Sequence, residues 1–124
     1  MRVAFLPDTS CMIAAVCSWH EHHEAAAIEI ERRLAGRAKM IVAAPALVEG
    51  YAVLSRLSSP HRLSPETALT LLADNFLKLG TVVALNARSY ETLLLHAPKN
   101  NVVGGRRYDA VIGECAQQGK ASQC

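Results

Sequence analysis

Short apolar runs alternate with amphipathic stretches along nearly the whole chain. Residues 3–6 (VAFL) read as a buried strand, and Pro7 stops it because proline offers no ladder N–H. Residues 38–43 (AKMIVA) and 81–85 (TVVAL) repeat the strand pattern. Each run leads into a helical stretch. After the first strand, Thr9 and Ser10 can cap a short helix whose apolar turn is residues 11–15. Ser18 and Glu21 form a capping box, which predicts a second helix from Trp19 with His23, Ala27, Ile30 and Leu34 inward and Gly36 as its stop. Pro45 suits the first turn of the next helix, whose residues 46–57 are apolar almost all round, as a helix buried between neighbours should be.

The later helices follow the same grammar. Ser64-Pro65-Glu66 combines a cap, a first-turn proline and an acid at the positive dipole end. Leu69, Leu72, Ala73, Phe76 and Leu79 make its apolar face, and Gly80 ends it. Asn86 caps residues 87–97, with Tyr90, Leu93, Leu94 and Ala97 inward, and Pro98 closes that helix. Residues 99–107 (KNNVVGGRR) are loop-like, and Tyr108-Asp109 opens a last helix that runs into GKASQC with no strand after it. The alternation predicts a single α/β domain over residues 1–124 with a mainly parallel sheet. Right-handed crossovers then place all strand carboxyl ends on one edge.

At 124 residues and 51% hydrophobic content the chain can bury a real core. It lacks an apolar run long enough to span a membrane, and its N-terminal apolar run is too short for a secretory signal, so a cytoplasmic protein is expected. Cys11, Cys17, Cys115 and Cys124 show no CxxC pairing and read as reduced thiols. His20, His22 and His23 invite a metal reading, but they lack cysteine or acidic partners at ligand spacing. A solvated helix face is the plainer account, with partner contact as a further one.

Three acids stand apart from the other charges. Asp8 is the sole charge between Val3 and Trp19, and Glu49 the sole charge between Met40 and Ser55. Asp109 sits at the start of the last helix. Singly, each has an ordinary explanation: Glu49 could pair with Arg56, and Asp109 could be a helix cap. Together they lie at or near helix starts on one sheet edge. A carboxylate pair about 4 Å apart repels by about 4 kcal/mol at an effective dielectric near 20. A hard divalent cation such as Mg²⁺ relieves this with oxygen ligands, and it can activate water against a phosphodiester. Setting the three acids aside leaves 13 basic against 8 acidic residues, a lean toward an anionic partner.

The segments PDTSCMIAA around Asp8, PALVEGYAVLSRL around Glu49 and GGRRYDAVIGECA around Asp109 resemble the PIN domains, and among them the VapC-type toxins of bacterial toxin–antitoxin pairs. That resemblance covers most of the chain. It implies a three-layer αβα PIN-like fold and a ribonuclease toxin that hydrolyses RNA with a metal-activated water, using Mg²⁺ or Mn²⁺. Asp8, Glu49 and Asp109 take the metal-binding and catalytic positions. Thr9 or Ser10 matches the hydroxyl after the first acid, which orients a carboxylate or a water. A homodimer and a cognate VapB-type antitoxin are implied as partners. The family's further strand and fourth acidic position find no match in AQQGKASQC, so the last strand is expected to be missing. The alternative is an impaired PIN domain that binds antitoxin or RNA without cutting. A phospho-accepting domain of flavodoxin-like topology fits poorly, because Asp8 has no acidic neighbour and Asn86 follows the third strand.

Overall fold

In a computed structural model of the chain, the structure describes residues 3–99 and the strand 122–123. Its centre is a parallel sheet of order β3-β2-β1-β4, formed by β1 (Ala4–Leu6), β2 (Lys39–Ala43), β3 (Thr81–Val83) and β4 (Ser122–Gln123). β1 and β2 pair with Ala4 opposite Lys39 and Phe5 opposite Met40, and β2 and β3 with Ile41 opposite Thr81. Residues 40–43 of β2 are all buried, as expected of a strand covered on both faces. Thr81 and Val82 of β3 are exposed, which marks that end of the sheet as an edge.

β4 corrects one expectation. A two-residue strand does follow the last predicted helix, and it pairs parallel to β1 with Phe5 opposite Ser122 and Leu6 opposite Gln123. Its polar sequence, SQ, carries no apolar signal, so only the backbone pairing reveals it. The predicted helix from Tyr108-Asp109 and the loop 100–107 lie outside the described residues.

The helices α1 (Thr9–Val16), α2 (His23–Ala35), α3 (Ala44–Leu54), α4 (Pro65–Leu72) and α5 (Ala87–His96) flank the sheet. Phe5, Leu6, Met12, Met40, Val42, Leu54 and Phe76 are the large side chains at the centre of the core. Ser64 and Asn86 cap α4 and α5 as their sequence context predicts, accepting from the amides of Thr67 and Ser89. Other local expectations give way to tertiary contacts. α2 starts at His23, not Trp19, because residues 17–22 close two successive turns (His20 N–H to Cys17 O and His23 N–H to His20 O) in place of the capping box. Gly36 caps α2 at φ −77°, and it is Arg37 that takes the left-handed conformation at φ 64°. The Arg37 and Ala38 amides then donate to Leu34 and Arg33, a Schellman closure.

Three apolar faces are rotated relative to the sequence reading. α4 buries Ala68 and Leu72, and a π-helical turn (Ala73–Leu77) adds Phe76, whereas Leu69 and Leu79 are exposed. α5 buries no residue within its own span; Tyr90 and Leu94 are exposed, and Ala97 just beyond it is buried. α3 is not enclosed all round either: Ala46, Gly50 and Leu54 face the core, but Val48 is 71% exposed. Hydrophobic spacing alone places a stripe to within about one residue, and the packing partner chooses among the options.

Candidate active site

The carboxyl edge of the sheet gathers the first two acids by simple geometry. β1 ends at Leu6, and Pro7 and Asp8 alone separate it from α1. β2 passes into α3 with no loop, Ala43 being both the last strand residue and the helix cap. Because the two strands are parallel neighbours, their helix starts stand side by side.

Asp8 itself is the N-cap of α1, where Thr9 or Ser10 was expected. One carboxylate oxygen, Oδ1, accepts from the Cys11 amide at 2.8 Å and from the Ser10 hydroxyl at 2.9 Å. These two donors hold the side chain at the positive end of the helix. The Thr9 hydroxyl goes the other way and donates to Glu49 Oε2 at 3.2 Å, across forty residues of sequence. So adjacent hydroxyls serve different acids. Thr9 is buried, while Asp8 and Glu49 are half-buried with solvent access. Glu49 is joined to Thr9 in this way and not to Arg56 by an ion pair. Asp109 lies outside the described residues.

Each acid opens on its own hollow. Glu49 lines a cavity of about 660 Å³ with Ala44, Pro45, Val48, Ala52, Arg56 and Tyr90. Asp8 lines a groove of about 290 Å³ with Ser10, Cys11, Ala14, His20, His22, Ala25 and Ala26. Tyr90, read from sequence as core, is thus a wall of the Glu49 cavity. The histidine cluster, read as a solvated face, borders the Asp8 groove; three histidines within four residues were the available signal. His23 departs from its neighbours, its Nδ1–H donating to the Ala14 carbonyl at 2.9 Å and tying α2 to α1. Cys11 and Cys17 are thiols outside any disulfide, and burial pushes the Cys17 thiol up, away from the reactive thiolate.

The donor set suits a hard cation in kind: two carboxylates, each with one oxygen engaged by a hydroxyl or amide, which leaves the other as a candidate ligand. Among the described residues no three His, Cys, Asp or Glu side chains converge on one metal position. A cation such as Mg²⁺ takes one or two carboxylates directly and fills the rest of its shell with water.

The profile of the PIN domain matches residues 5–123, and the chain belongs to the PIN domain family. Within it, the chain is a homologue of the VapC-type ribonuclease toxins. It is 40% identical to ribonuclease VapC40 of Mycobacterium tuberculosis over 111 residues, 90% of this chain and 77% of that protein. It is 32% identical to ribonuclease VapC27 of the same organism over 121 residues, 98% of this chain and 75% of that protein. The fold agrees with two crystal structures. That of M. tuberculosis VapC20, a sarcin-ricin loop cleaving toxin, superposes with a TM-score of 0.71 at 16% identity, covering 94% of this chain and 84% of the other. That of VapBC2 from Rickettsia felis, bound to a DNA fragment from their promoter, gives 0.68 at 18% identity and covers 98% and 86%.

Proposed function

We propose that the chain is a metal-dependent endoribonuclease toxin acting in the cytoplasm, with Asp8, Glu49 and Asp109 as its metal ligands. The observation that carries this reading is the Thr9 bridge, which ties Glu49 to the residue beside Asp8 at the carboxyl edge of the sheet. Two lone carboxylates far apart in sequence both stand at the carboxyl edge of the sheet, where parallel α/β folds present ligands. Kinship with ribonucleases VapC40 and VapC27 supports RNA as the substrate.

Asp8 and Glu49 would hold Mg²⁺ or Mn²⁺ through the oxygens that their hydroxyl and amide donors leave open. Asp109 would add the third carboxylate. Such a cation supplies Lewis-acid help, easing proton loss from water and offsetting charge that builds on the phosphate. The chain's own part is to fix the carboxylates. Ser10 and the Cys11 amide hold Asp8, and Thr9 holds Glu49, so little reorganisation is needed when the substrate arrives. Arg56, just past the end of α3, places a cation in the same cavity as Glu49, where a phosphate can be gripped.

The exposed apolar residues of α3 and α5, with Val48 71% and Leu95 77% exposed, supply surface for a second copy of the chain or for a VapB-type antitoxin. The R. felis neighbour, an assembly named VapBC2, supports the antitoxin as a partner.

Asp8→Asn keeps the cap's shape and removes its charge. With Mn²⁺ and a single-stranded RNA, the variant is expected to lose cleavage by at least a hundredfold while far-UV circular dichroism is unchanged. Cleavage at the parent rate would end the proposal. A parent chain that binds RNA but cuts none, with or without metal, would leave the non-cleaving alternative in its place.

A further inference from the structure

The histidine-rich turn has no part in holding the two acids, yet it carries an ordered row of rings. His61, from the turn ahead of α4, stacks on Trp19 with ring centroids 4.0 Å apart and planes 21° from parallel. Trp19 is followed by His20 at 6.0 Å and 41°, and His20 by His22 at 5.7 Å and 45°. The row ends in the Asp8 groove, since His20 and His22 both line it beside Asp8 and Ser10.

Two features separate this row from ordinary packing. The chain's single tryptophan sits in it 44% exposed, although an indole is among the side chains that gain most from burial. The His20 ring is also held: the His22 amide donates to its Nδ1 at 3.0 Å, so the neutral ring carries its proton on Nε2 as a free-standing donor. Glu21 beside them lies 3.3 Å from His22 Nε2.

We infer that this row is a stacking track for single-stranded RNA, leading the strand to the Asp8 carboxylate. The inference rests on the ribonuclease reading and specifies its substrate as unpaired. Every base offers a flat face to an aromatic ring, whereas in an A-form duplex those faces are covered. The His20 Nε2–H then meets a ribose or phosphate oxygen. The groove floor of Ala14, Ala25 and Ala26 is small-residue surface open to a sugar-phosphate.

Trp19 reports on its own occupancy. Titrating the full chain in EDTA with a ten-nucleotide single-stranded RNA should quench its emission saturably, and the same sequence as a duplex should not. By fluorescence anisotropy of labelled RNA, Trp19→Ala should raise Kd by roughly five- to a hundredfold, the range of one lost base stack. Trp19→Phe should recover most of that loss, which a merely structural defect would not. With Mn²⁺, the defect should fall in KM more than in kcat. Emission unmoved by RNA, or Trp19→Ala binding as tightly as the parent chain, would overturn the track, and metal-dependent cleavage could still stand without it. Quenching in a chain that never cuts would instead support the track and count against the nuclease.

Discussion

The same substitution at two glycines should move stability in opposite directions. Gly50 lies inside α3, where a built Cβ would stand 3.7 Å from Leu72 Cδ2 and 3.9 Å from Ile13 Cδ1, ordinary contact distances. Alanine there removes the conformational cost of glycine in a helix interior and fills space already present, so Gly50→Ala should stabilise by about 0.5–1 kcal/mol. At Gly80 the added carbon would stand 2.6 Å from Val42 Cγ2, 3.0 Å from the Phe76 carbonyl oxygen and 3.2 Å from Met40 Cε. Val42, Met40 and Phe76 are all buried, and the Phe76 oxygen already accepts the Gly80 amide at 2.9 Å. A terminal methyl of Met40 can yield, but a backbone carbonyl and a β-branched side chain in a central strand cannot do so cheaply. The entropic gain of alanine, about 0.4–1 kcal/mol, is then outweighed by overpacking of about 1–3 kcal/mol. Net destabilisation at Gly80 should be about 1–2 kcal/mol. Urea unfolding followed by far-UV circular dichroism measures both, with the midpoint rising for Gly50→Ala and falling for Gly80→Ala at equal slope. If Gly80→Ala matched or exceeded the parent midpoint, the close approach of the turn to β2 would be refuted, and with it the packing that seats the strand ahead of α3.

Thr9→Val keeps the side chain's shape and deletes the donor to Glu49. Apparent affinity for Mn²⁺ in the cleavage assay should weaken roughly tenfold, the worth of a charge-assisted hydrogen bond, while the urea midpoint stays nearly constant and Thr9→Ser restores function. Arg37→Gly removes a side chain from the left-handed region and should raise stability by about 1 kcal/mol; a lower urea midpoint would contradict it. Hydrogen bonds from Arg32, then Arg33, hold the Glu29 carboxyl down at about 2. Because the folded value lies below the ordinary 4.5, this group favours folding above that pH, and its contribution fades as pH falls toward 2. Glu29→Gln should therefore flatten the acid limb of stability between those values, and an unchanged limb in thermal melts would disprove the linkage. Since all three side chains are at the surface, added salt should shrink the difference.

What short-range chemistry controls was readable from residue order. Strands at residues 4–6, 39–43 and 81–83, the caps Ser64 and Asn86, and the seclusion of Asp8 and Glu49 among apolar neighbours follow from periodicity and from local hydrogen-bonding chemistry. Those signals act within a turn or two, so neighbours in sequence carry them. What depends on partners dozens of residues away was not readable. The displaced start of α2, the open faces of α4 and α5, and the pairing of the polar strand β4 with β1 arise only once the sheet assembles. The same holds for the division of Thr9 and Ser10 between two acids, and for the row that His61 and Trp19 begin from separate loops. A side chain's chemistry is written where it stands in the chain, but its partner is chosen by the register of β1 on β2, which brings distant segments within hydrogen-bonding reach.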